Sequence, residues 1–132
     1  MINSHDELVK FLQEQIKKEE EIAKSMKDAL SKVKNPVVKA VLTGISLDSV
    51  KHAELYRAAI HLTTVTTALT DEEFNQLKTI TKRHVDIEGA VEWQVAEAIT
   101  KIKDKKVRLL LKSIGKDEEK HHELLKAIME LI

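Results

Sequence analysis

Displaced by 69 positions, the chain falls on itself, and this self-match limits its fold more than any other feature. Asp48-Ser49-Val50-Lys51-His52-Ala53-Glu54-Leu55 lands on Asp117-Glu118-Glu119-Lys120-His121-His122-Glu123-Leu124. The same shift puts Glu19 on Glu88, Asn35 on Asp104, Val38 on Val107, Leu42 on Leu111 and Ala58 on Ala127. Stray charges placed by chance would not repeat in this way. Each half therefore reads as one copy of a single supersecondary unit.

That unit is a pair of helices. Ser4 and Glu7 form the signature of a capping box, and a helix follows to about Lys34 with Leu8, Leu12, Ile16, Ala23, Met26, Leu30 and Val33 on one stripe. Asn35-Pro36 stops it and starts the next, because proline suits a first helical turn and disfavours helix at the residue before it. The second helix runs to about Leu62 through Val38, Val41, Ile45, His52 and Ala59. Residues 63–70 are rich in threonine and break the helical signal. Thr70 and Glu73 make a second capping signature, and the third helix continues to about Lys103. After a turn at Asp104-Lys105 the fourth helix reaches the end. The expected domain is 1–132, one all-α unit built from hairpins 4–62 and 71–131.

Three glycines, one proline and abundant Lys, Glu, Leu and Ala agree with an all-helical chain. Acidic and basic side chains balance at 22 each, so no excess charge points to nucleic acid or an anionic membrane surface. The absence of cysteine excludes disulfides, iron–sulfur clusters and thiolate metal sites. No apolar run spans a bilayer and the first residues show no signal-peptide pattern, so the cytoplasm is the expected location. Trp93 and the methionines read as packing residues.

Polar residues interrupt the apolar stripes at matched places. Glu19 fills a gap between Ile16 and Ala23, and Glu88 fills the corresponding gap in the third helix, one turn after His84. Glu118 and His121 stand on the stripe of Val107, Leu111, Ile114, Leu125 and Ile128, and His52 holds the place of His121 in the second helix. An ionisable pair within a core stripe needs a partner. A Glu-x-x-His pair on one face of a bundle helix is a known carboxylate–imidazole ligand unit. The plainer alternative is a solvated face with one hydrogen-bonded core histidine.

On these residues the chain resembles the ferritin-like superfamily, and within it the rubrerythrin-like proteins. The resemblance covers nearly the whole chain and implies a four-helix bundle of two related hairpins enclosing a di-metal site. That site takes one Glu from each of two helices and a Glu-x-x-His from each of the other two. Carried over by position, it implies Glu19, Glu88 and Glu118 as carboxylate ligands and His52 and His121 as imidazole ligands. The second helix departs from the pattern, for the glutamate expected three residues before His52 is Ser49. Asp48 lies about 100° around the helix from that position. Asp48, Ser49, His84, Glu92 and Tyr56 complete the candidate site. His84 reads as a further ligand or its neighbour, Glu92 as a flanking group, and Tyr56 lies one turn after His52. His122 is read as pointing off the stripe.

The resemblance implies iron, as a di-iron or mixed iron–manganese centre, with zinc as another occupant and no haem. The activity expected is peroxide reduction or ferrous oxidation. Without cysteine, a redox reaction would draw electrons from a separate donor protein. The alternatives are a non-redox metal-binding protein and a degenerate bundle serving as a structural or dimerisation module.

In this family the middle connection runs along the bundle, a gap of about 40 Å that needs roughly 12 extended residues. The chain offers about 8 to 10. A homodimer is therefore expected, with exchange of hairpins between copies as one route to it.

Overall fold

The structure, a computed structural model, describes residues 4–64 and 68–131 apart from the side chain of Glu88. It is all-helical among the described residues, with α1 His5–Leu30, α2 Pro36–Thr64, α3 Asp71–Lys101 and α4 Lys105–Leu131. The chain divides into two compact units, Met1–Thr67 and Ala68–Ile132. In the first, α1 packs on α2; in the second, α3 packs on α4. Residues 65–67, the middle of the expected crossover, lie outside the described residues.

The helix starts follow local chemistry. Ser4 Oγ accepts from the Glu7 amide at 3.2 Å. Thr70 and Glu73 make both halves of a capping box, at 3.1 and 3.2 Å. The second helix of each unit begins alike. Asn35 Oδ1 accepts from the amides of Val37 and Val38, and Asp104 Oδ1 from those of Lys106 and Val107. Residues 69 apart thus perform one task, as N-caps that occupy otherwise unpaired first-turn donors.

Three helix ends differ from the sequence expectation. α1 stops at Leu30 rather than Lys34: the Ser31 hydroxyl donates to Asp28 O, and the Lys32 amide bonds Ala29 O in a tightened last turn. The chain must then extend so that Asn35 can cap α2. α3 stops at Lys101 rather than Lys103, because Ile102 turns extended (φ −96°, ψ 126°) ahead of the Asp104 cap. α2 runs two residues past Leu62. The hydroxyls of Thr63 and Thr64 donate back to Ile60 O and His61 O, which reconciles β-branched residues with a last helical turn.

The two units are closed to different degrees. Leu12, Ser46, Ser49 and Ala53 are buried, all between α1 and α2, where small residues at 46, 49 and 53 let the helices approach. No described residue of α3 or α4 reaches that burial. Under the repeat Ser46 corresponds to Gly115, and a Cβ built on Gly115 would meet nothing within 4 Å.

In both units the second helix keeps an apolar flank that its own partner does not cover. Val38 and Ile45 are 43% and 41% exposed, and their counterparts Val107 and Ile114 are 41% and 44%. Two helices share a single seam, whereas the apolar arc of each of these is wider than one neighbour can cover. Trp93, read as a packing residue, is 67% exposed.

Candidate metal centre

In the first unit, Glu19 reaches from α1 to His52 on α2, with Oε1 3.3 Å from Nδ1. The carboxylate is mostly covered, while the imidazole is about half exposed on the flank of Val41 and Ile45. Ser49 sits in the α1–α2 seam at 4% exposure. With Glu19, Ala23, Ala53 and Arg57 it lines a groove of about 220 Å³, in which the small side chain leaves room beside the Glu19 carboxylate. Arg57 fixes the rim, donating to Glu20 across the helices at 2.6 Å and to Glu54 on its own helix at 2.7 Å. Asp48 stays at the surface, its Oδ1 3.3 Å from Lys51 Nζ, so its carboxylate is engaged there and not beside His52. Tyr56 is half-buried.

In the second unit, His84 on α3 meets Glu118 and His121 on α4. Each offers one ligand atom, and all three lie within 4.8 Å of one another. Glu118 and His121 are three apart, so one helical turn aims both at the same point. Glu118 Oε2 is out of solvent's reach and receives no hydrogen bond from the described residues; His84 Nε2 is also solvent-inaccessible. Glu88 lies on α3, and its side chain is outside the described residues.

His84 is flanked by two rings. His121 stands at 5.8 Å between centroids, and His122 at 4.8 Å, both edge to face. His122 Nε2 is in turn 3.8 Å from Glu92 Oε2. His122 is thus in the α3–α4 seam and not off it, while His121 lies at the seam's exposed edge. The apolar stripe alone could not separate these neighbours, since it sums the burial demanded by every partner of α4. Arg57 was likewise missed. Its signal, an arginine three residues after Glu54, is common on exposed helix faces.

A divalent cation suits this donor set. Two imidazoles and a carboxylate are the ligand types of zinc and non-haem iron. Bonds of about 2.1 Å in tetrahedral geometry place donors about 3.4 Å apart. Donors already within 4.8 Å need close in by little more than an ångström. Such a cation would also supply what no described residue gives Glu118 Oε2, a partner for a carboxylate oxygen removed from water. No protein-family model, curated protein or solved structure matches the chain.

Proposed function

We propose that the chain is a rubrerythrin-like, non-haem metal–carboxylate protein of ferritin-like four-helix architecture, which reduces peroxide or oxidises ferrous ion. The observation that carries the reading is the convergence of His84, Glu118 and His121, with Glu118 Oε2 receiving no hydrogen bond from the described residues. The Glu19–His52 pair adds a carboxylate and an imidazole at matched positions of the other hairpin.

The resemblance assigns Glu19, Glu88 and Glu118 as anionic ligands, with His52 and His121 as terminal imidazoles. When bound, iron would supply the change of oxidation state that none of these side chains can undergo. The protein's part is to hold donors on helices rather than loops, to exclude water from Glu118, and to leave room at Ser49 for a small oxidant. Electrons would come from a separate donor protein. A homodimer, by simple association or by exchange of hairpins, would cover the apolar flanks of Val38 and Ile45 and of Val107 and Ile114.

A second reading is favoured by Ser49, which removes one anionic ligand: a protein holding its ion without redox turnover, or a bundle kept for dimerisation. Elemental analysis of protein purified without chelator separates these. Redox metal in the protein, with an absorbance change on adding peroxide, supports the oxidoreductase. Zinc alone supports a non-redox metal protein, and absence of metal leaves the structural module.

A further inference from the structure

We propose that α3 and α4 alone hold one divalent cation, through His84, Glu118 and His121, and that this ion fastens α4 to α3. The inference rests on reading the cluster as a metal centre. It differs from the rubrerythrin-like set in making His84 a principal ligand rather than an additional one and in leaving out Glu19 and His52.

Three observations lead to it. The donors come from both sides of one seam, His84 from α3 and Glu118 with His121 from α4, and need no side chain of the first unit to come within 4.8 Å of one another. The His84 ring is braced before any ion arrives. The His122 ring stands nearly perpendicular to it, 4.8 Å between centroids, and Glu92 of α3 lies 3.8 Å from Nε2 of His122. Groups that orient an imidazole ligand in this way contribute to metal affinity without touching the metal.

The seam also needs what a cation supplies. α1 and α2 close over Leu12, Ser46, Ser49 and Ala53, whereas α3 and α4 bury no described residue to that degree and leave open space at Gly115. A small unit with so little core gains most from a cross-link between its elements. An ion bridging His84 to Glu118 and His121 is such a cross-link, so the second unit depends on metal for its stability and the first does not.

Amide hydrogen exchange of the full chain, stripped of metal and then titrated with Zn²⁺, tests this. At free zinc one hundred times the dissociation constant, exchange in 71–131 should slow by up to about a hundredfold, with 5–64 unchanged. His84→Gln should abolish the slowing while retaining helicity by circular dichroism. His122→Ala should weaken zinc binding about tenfold, and His122→Phe, which keeps a ring beside His84, should restore most of it. If Glu19→Gln or His52→Ala removes the zinc effect and His84→Gln does not, the ion sits in the rubrerythrin-like set and this proposal falls while the metal-protein reading stands. Equal slowing in both units overturns it too. Failure of the wild-type chain to retain zinc, iron or cobalt overturns both.

Discussion

Glu19 and His52 face each other across the α1–α2 seam, Oε1 3.3 Å from Nδ1, and the imidazole is half exposed. A carboxylate–imidazole contact with one partner half exposed contributes at most about 1 kcal/mol. Glu19→Gln should therefore shift the urea midpoint only slightly. A metal centre that uses Glu19 would lose affinity far more than the fold loses stability, and metal titration of the same variant reads that difference.

Ser49 offers a direct test of the resemblance. It is 4% exposed in a seam of small residues, so Ser49→Glu introduces a carboxylate where water is scarce. The metal-free variant should lose about 1–3 kcal/mol. A saturating divalent ion should return most of the loss if the groove beside Glu19 is a ligand position. Equal loss with and without ion, measured by urea denaturation, would count against that role.

Asn35 and Asp104 cap α2 and α4 through the same pair of first-turn amides. Replacing either with alanine should cost about 1 kcal/mol. The repeat predicts that the losses fall in different units: hydrogen exchange should quicken at the start of α2 for Asn35→Ala and at the start of α4 for Asp104→Ala.

Gly44 and Gly115 stand inside helices, and an added Cβ meets nothing at either place. Gly44→Ala and Gly115→Ala should each stabilise the chain by about 0.5–1 kcal/mol. A loss of stability in thermal melts would mean that a partner closes on that helix face.

The caps were legible in the sequence because capping is chemistry among residues three or four apart. Ser4 with Glu7 and Thr70 with Glu73 act where their signatures place them, whereas Asn35 and Asp104, which read as a helix stop and a turn, prove to be caps as well. Glu19 and His52 stand together across the α1–α2 seam, and Glu118 and His121 lie within 4.8 Å of His84. Which side of a stripe meets which neighbour was not legible. Glu118 and His122 face α3 while His121 and Ile114 sit at the edge, because hydrophobic periodicity records total burial and not the partner that provides it. For the same reason His84, one turn before Glu88, read as a secondary candidate although it stands within ligand distance of Glu118 and His121. The end of α2 was hidden by the β-branched Thr63 and Thr64, whose hydroxyls bond back into the helix.

Whether the polar cluster of α3 and α4 takes a cation is read from crystals grown with Co²⁺ or Zn²⁺ and measured at the metal's absorption edge. An anomalous peak is expected about 2.0–2.2 Å from one nitrogen of His84, one nitrogen of His121 and an oxygen of Glu118. A map with no peak there, with Glu118 hydrogen-bonded to another side chain instead, would contradict a cation site.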